Sequence, residues 1–352
     1  MLVVAESPAQ LIDLCSDVFT HRLKARRRTQ FVSGVHYNYR FRRQQDVAIR
    51  TYRNAVFIYN PVAGGPSGKH ADRISRAVAT LRQAGHRIEI APTGKPGDAT
   101  RIAREAVRRG ADLVLVAGGD GTLNEAINGV AGSEAPVGML PTGTANVLGC
   151  ELRLGGFERA VASVGAWIPR RVALGSLRAA GLPPRYFLLM AGAGLDAHIA
   201  NNVNRSLKRR SGKFSYWVSG AREFTRRLGQ FDARAGDVAR RCGFALASRV
   251  RNYGGTLEIA RTASLASDEF EVVLFEGANP PRYLKYLAGA VTGALRTMKG
   301  ITIVKARRLE LLAPDDPPVY VQVDGEVAGR LPAMVEIVPD ALTLLVPEDF
   351  HG

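Results

Sequence analysis

The rhythm of hydrophobic positions changes once along this chain of 352 residues. Up to Trp167, short apolar runs alternate with segments whose apolar residues recur every three or four positions. Residues 55–59 read as a strand. Ile74, Ala77, Val78 and Leu81 then fall on one helical face, and Gly85 stops that helix. Residues 87–91 read as a second strand, and Asp98 is placed to cap a helix reaching Val107. Residues 112–117 are a third, partly β-branched run, followed by a helix with Leu123, Ile127 and Val130 on one face. Met139 and Leu140 end a fourth strand. This alternation predicts a parallel sheet with right-handed crossovers, whose ligands sit beyond the C-terminal ends of the strands.

After Trp167 the runs become short, β-rich and separated by turns. They begin at Arg170, Arg185, Gly243, Leu257, Phe270, Ile301, Val319, Ala333 and Ala341. That spacing reads as an antiparallel sandwich or barrel-like second domain. An apolar helix over residues 283–298 reads as part of its core. The expected division is an extension over 1–53, an α/β domain over 54–168 and a β-rich domain over 169–349.

Charge adds a partner class. The net charge is +16, which points to anionic partners. No zinc finger, RNA-recognition signature or basic zipper is present, so nucleic acid is not favoured. Residues 200–228 mix Arg205, Lys208, Arg209, Arg210, Lys213, Arg222, Arg226 and Arg227 with Phe214, Tyr216, Trp217 and Phe224. Two readings stay open there: contact with an anionic membrane surface, or a solvated helix packing its aromatics on the second domain. Residues 1–53 carry Leu11, Ile12, Cys15, Val18 and Phe19 at helical spacing, then a basic and aromatic segment. They read as a membrane-surface anchor or, preferably, as a poorly ordered extension. Cys15, Cys150 and Cys242 are odd in number and widely spaced, which suggests a reducing compartment. No run approaches the roughly 20 apolar residues of a membrane span.

The candidate chemistry sits between the third and fourth strands. Gly118, Gly119 and Gly121 follow a buried-type strand and run into a helix N-terminus. Glycines let the backbone approach an anion, and the first helical N–H groups point at it. Asp120 inside this loop would be repelled by phosphates unless a cation intervenes or a proton is transferred. The loop therefore suggests nucleotide phosphates with Mg²⁺, against the plainer reading of a turn with a helix-capping Asp. Residues 65–70 are one residue short of a Walker A loop and carry His70 where Ser or Thr belongs. The Asp324-Gly325-Glu326 sequence ends another strand, where its plain reading is a type I′ turn.

Six motifs occur in order: NPVAGG at 60–65, GDA at 97–99, GGDGTLNE at 118–125, PTGTAN at 141–146, AGAGLDA at 191–197 and DGE at 324–326. Over roughly residues 55 to 347 this set resembles the diacylglycerol kinase catalytic-domain family, which includes bacterial lipid kinases and sphingosine kinases. The resemblance implies an α/β domain of NAD-kinase and diacylglycerol-kinase type, a β-sandwich second domain and a cleft between them. It implies ATP as co-substrate in a cradle of Asn60, Thr93, Gly118, Gly119, Asp120, Gly121, Thr122, Leu123, Asn124 and Thr144. Glu326 carries over as the proton acceptor, with Asp324 as a neighbouring acid able to raise its pKa. Asp196 carries over as a contact to lipid headgroup or Mg²⁺. Leu265, Asp268 and Phe270 carry over as ligands of a structural Mg²⁺. The chain departs from the family at Glu269, where Gly is usual, and at Val147, where Asp is frequent.

The leading expectation is an ATP-dependent lipid kinase with a lipid substrate, diacylglycerol by default. It would be cytoplasmic and peripherally associated with the inner face of the membrane. A homodimer stays open. The alternatives are an NAD kinase-like phosphotransferase, which shares GGDGT, and a non-enzymatic lipid or nucleotide sensor on the same fold.

Overall fold

The computed structural model describes residues 50–61, 67–194, 229–254, 257–312 and 318–351. Strand β1 (Ala55–Tyr59) leads to helix α1 (Ser67–Gln83), then β2 (Ile88–Pro92), α2 (Asp98–Arg108), β3 (Leu113–Gly118), α3 (Asp120–Val130) and β4 (Val137–Pro141). β1 lies between β2 and β3, β3 pairs with β4, and all three pairings are parallel. β3 is buried along its whole length, as its unbroken apolar run requires of a strand covered on both faces. Ile74, Ala77, Val78 and Leu81 are buried, so the apolar face of α1 is the one read from spacing.

One local expectation is corrected. Asp98 does not cap α2. Gly97 occupies the N-cap with φ 87°, and the Asp98 carboxylate accepts the N–H groups of Gly94 and Lys95 in the preceding turn. The N–H of Ala99 donates instead to Glu125, on α3, at 3.2 Å. Glu125 of GGDGTLNE therefore holds the start of the GDA helix.

Short helices α4 (Val147–Glu151) and α5 (Phe157–Ser163) lead into the β-rich part. Its strands are β5 (Ile168–Ala179), β6 (Arg185–Phe187), β7 (Met190–Gly194), β8 (Phe231–Ala235), β9 (Val238–Ser248), β10 (Asn252–Tyr253), β11 (Leu257–Glu258) and β12 (Phe270–Glu276). Helix α6 (Pro280–Thr292) intervenes before β13 (Ile301–Ala306), β14 (Arg308–Leu311), β15 (Tyr320–Val323), β16 (Glu326–Arg330) and β17 (Ala333–Val346). Except for one parallel contact of β17 with β4, pairings in this part are antiparallel among the described residues. Tyr283 and Tyr286 of α6 are buried, with their hydroxyls donating to backbone carbonyls around residues 275–300.

The two runs beginning at Ala333 and Ala341 merge into β17, bent by a bulge between Val338 and Leu342. Its second half returns to the first lobe, pairing with the start of β5 and, at Leu344, with Val137 of β4. The boundary at residues 168/169 falls at the start of β5. Residues 1–49 and the basic stretch 200–228, for which membrane contact was one reading, lie outside the described residues.

Candidate active site

The predicted loops leave one edge. Asn60 follows β1, Thr93 follows β2, Gly119 follows β3 and Thr142 follows β4. Thr93 donates its backbone N–H to Tyr59 at 2.9 Å, and Asn60 donates its own to Ala117 at 3.2 Å. Parallel strands in register make this convergence obligatory.

Two glycine loops meet at that edge, backbone to backbone. A Cβ on Gly143 would stand 2.6 Å from the Cα of Gly119, so a side chain there would push the loops apart. Asp120 is the buckle between them. Its carboxylate accepts the N–H of Val147 at 3.1 Å and of Leu148 at 3.4 Å, at the first turn of α4. Burial raises its pKa above the ordinary carboxylate value, opposed by those backbone donors. Where the family often has Asp, the Val147 side chain is buried and its N–H serves Asp120. Thr142 Oγ1 and Asn146 Oδ1, both in the second loop, are buried without a hydrogen-bond partner. The Thr142 hydroxyl is free to donate to a phosphate oxygen, whereas Asn146 Oδ1, which only accepts, calls for a donor or a cation. Thr144, in the same loop, is exposed.

The remaining cradle residues divide between site and scaffold. Thr122 folds over Gly118, where a Cβ would meet the threonine Cβ at 2.7 Å. Leu123 is core, and its N–H is taken by Gly119. Asn124 is 1% exposed. Its amide donates to Tyr186 O at 3.0 Å and to Asp324 Oδ2 at 2.9 Å. Its Oδ1 accepts from Arg185 Nη2 at 2.8 Å. Asn124 thus staples the first lobe to the second.

The opposite wall is the β15–β16 hairpin. Asp324 (φ 47°) and Gly325 (φ 84°) form its two-residue turn, closed by the Val323–Glu326 pair. The turn reading and the functional reading therefore coexist. The hairpin carries Glu326 to the N-terminus of α3: a Cβ added to Gly121 would lie 2.7 Å from Glu326 Oε1. Glu326 is paired with Arg185, Nη2 to Oε2, at 2.6 Å. Asp120 and Glu326 consequently flank the same glycine loop.

Asp324 plays a different part from its neighbour. Its carboxylate accepts N–H groups from Leu188, Leu189 and Met190 as well as the Asn124 amide. Burial pushes its pKa up to about 6, with the Asp120 charge adding in the same direction. The expected coupling to Glu326 is not the cause. Sequence reasoning passed over Arg185, which links Glu326 to Asn124, and Asn128, whose side chain pairs with both N–H and C=O of Tyr186. Asn128 lies one turn after Asn124 on the same face of α3, the spacing that could have flagged it.

The third group is described only in part. Asp196 lies outside the described residues. Among the described residues no cluster of three or more His, Cys, Asp or Glu is placed to hold a metal ion. Phe270 starts β12 with its ring stacked on Phe187, and Asp268 is exposed. The Leu265 carbonyl accepts an N–H from the buried guanidinium of Arg249 at 2.8 Å. A structural divalent ion does not fit that donor set.

Comparison with known proteins agrees with this two-part fold. Residues 54–177 match the profile of the diacylglycerol kinase catalytic domain, and residues 190–346 match that of the YegS C-terminal NAD kinase beta sandwich-like domain. A diacylglycerol kinase of Bacillus subtilis (strain 168) is 26% identical over 291 residues, covering 80% of this chain and 92% of its own. A diacylglycerol kinase of Mycobacterium tuberculosis (strain H37Rv) is 26% identical over 301 residues, covering 83% and 94%. A solved structure from Bacillus anthracis (strain Sterne) superimposes with a TM-score of 0.71 at 21% identity, covering 86% of this chain and 98% of its own. With the two models matched in order, the chain carries a diacylglycerol kinase catalytic domain over residues 54–177 followed by a YegS C-terminal-type beta sandwich domain over residues 190–346.

Proposed function

We propose that this protein is an ATP-dependent lipid kinase that transfers the γ-phosphate of ATP to a lipid hydroxyl, with diacylglycerol as acceptor and phosphatidic acid as product. The observation that carries the reading is the placement of Glu326 against the glycine loop at Gly121. Phosphoryl transfer needs a phosphate cradle and a proton acceptor on the acceptor's side, and little else from the protein.

In this reading the loops after β3 and β4 hold the phosphates by backbone N–H groups, aided by the start of α3. Asn60 and Thr93 border the nucleotide from the same sheet edge, and Thr144 from the second loop. Glu326 accepts the proton of the lipid hydroxyl. The hydroxyl oxygen bonds to the γ-phosphorus as the bond to the ADP oxygen breaks, and ADP leaves with that electron pair. Arg185 orients Glu326 before substrate arrives, then faces the transferred phosphoryl group as a second positive charge. When bound with the nucleotide, Mg²⁺ would offset phosphate charge. It needs only one or two protein carboxylates beside the phosphates, and Asp120 is the acid of the loop. Asp120 also fixes the two loops relative to each other, so its buckle and its charge serve the same bound phosphates.

The acceptor is a membrane lipid, so we place the enzyme at an anionic bilayer surface, on the cytoplasmic side. Among the described residues no helix is long and apolar enough to cross a membrane. The net charge of +16 favours such a surface electrostatically.

A panel assay with γ-labelled ATP tests the reading. Vesicles carrying diacylglycerol, ceramide, a sphingoid base or phosphatidylglycerol are presented in turn, with NAD as a soluble control. Label on diacylglycerol is expected. Preferred labelling of another lipid would reassign the acceptor, and labelling of NAD alone would overturn the lipid-kinase reading.

A further inference from the structure

Arg249 is the largest fully buried side chain described, with 0% exposure, although guanidinium groups are seldom fully buried. It follows β9 directly. Nη1 donates to the carbonyl of Ala173 on β5, and Nη2 donates to Leu265 O at 2.8 Å and Ser267 O at 3.0 Å. Its backbone N–H donates to Leu189 O at 2.8 Å. One cationic side chain therefore joins β5, the end of β9 and the loop that leads into β12.

We infer that in this chain the Arg249 guanidinium does the work of a structural divalent cation, holding the 265–268 loop through carbonyl oxygens so that no metal ion binds there. Three observations support this. The set of groups around it is what a hard cation would seek: carbonyl oxygens, with the Asp268 carboxylate acting on it electrostatically. The Leu265 oxygen is already engaged, so an ion bound to it would sit beside a fixed positive charge. Glu269, where glycine is usual, has negative φ, so the loop follows a path open to any residue. A planar fork with five donors can serve several carbonyls at once, which a metal otherwise does by coordination.

The inference goes beyond the proposed reaction and does not depend on it. Leu189, which accepts from the Arg249 backbone, donates its own N–H to Asp324 at 3.1 Å. The clasp thus stands one residue behind the turn that presents Glu326.

Two measurements on the nucleotide-free full chain decide it. Mn²⁺ is titrated as a paramagnetic probe for hard divalent cations, with free ion read by electron paramagnetic resonance. No saturable site that depends on Asp268 is expected, and Tm in excess chelator should equal Tm in millimolar Mg²⁺. A saturable site abolished by Asp268→Asn, or a fall in Tm on chelation, would overturn the inference. In the second measurement Arg249→Met is expected to lower Tm by roughly 5 °C or more, because buried carbonyls lose a charged donor. A variant as stable as the parent would refute a structural role. If the variant fails to fold, the Mn²⁺ and chelation results on the parent chain still decide.

Discussion

The neighbouring acids of one hairpin turn have divided their tasks by burial. Asp324 is enclosed and multiply hydrogen-bonded, whereas Glu326 is half open, paired with Arg185 and facing the glycine loop. The raised pKa of Asp324 has a signed consequence. The folded state holds its proton more tightly than the unfolded chain, so its contribution to stability is full below about pH 3.8 and is lost as pH rises through about 6. Between pH 7 and pH 5 the wild type should gain about 1 kcal/mol relative to Asp324→Asn, read from urea unfolding at the two pH values. A gap that moves the other way would show that Asp324 is stabilised as the carboxylate. Asp120→Ala makes a distinct case. It leaves the Val147 and Leu148 N–H groups without their acceptor. It should therefore lower Tm as well as cutting turnover at least ~100-fold. Turnover within a few-fold of the parent would remove Asp120 from the reaction.

Among the elements, the loops after β3 and β4 hold the nucleotide in the proposed reaction. Gly143→Ala would set a methyl 2.6 Å from the Gly119 Cα and 2.8 Å from Asn146 Oδ1; the Gly119 contact is backbone, so the loops must separate. A raised KM for ATP is expected, by about tenfold or more, with the far sheet intact by circular dichroism. An unchanged KM would mean that the loop pair does not hold the phosphates. The elements themselves were largely legible. The spacing of Ile74, Ala77, Val78 and Leu81 and the unbroken run in β3 report burial directly, since both periods are fixed by backbone geometry. Less legible were contacts made across long sequence separations. Nothing near Asp98 announces that Glu125 will serve the α2 N-terminus, and β17 read as two strands because its bulge breaks the alternation. Arg249 escaped notice for the same reason, its three acceptors lying on segments distant in sequence.

At the scale of the whole molecule, the lobes are joined by polar staples rather than by a linker. Asn124 and Asn128 of α3 bond to β6 and to the Asp324 turn, while β5 and β17 run through both lobes. The cleft is thereby built into the fold, and residues 118–125 meet residues 324–326 across most of the chain length. Asn124→Ala should remove bonds to Tyr186, Asp324 and Arg185 together. It is expected to cost about 2–4 kcal/mol in chemical unfolding, with turnover falling alongside. A loss below 1 kcal/mol, roughly one ordinary hydrogen bond, would argue against a staple.

The account rests on a proton acceptor facing a phosphate loop across that cleft. Its most direct test compares wild type with Glu326→Gln in transfer of label from γ-labelled ATP to diacylglycerol in anionic vesicles, with Tm measured on both. The account predicts labelled phosphatidic acid with the parent and at least ~100-fold less with the variant at matched Tm and similar KM for ATP. Near-parental turnover by Glu326→Gln, or no lipid labelling by the folded parent, would contradict it.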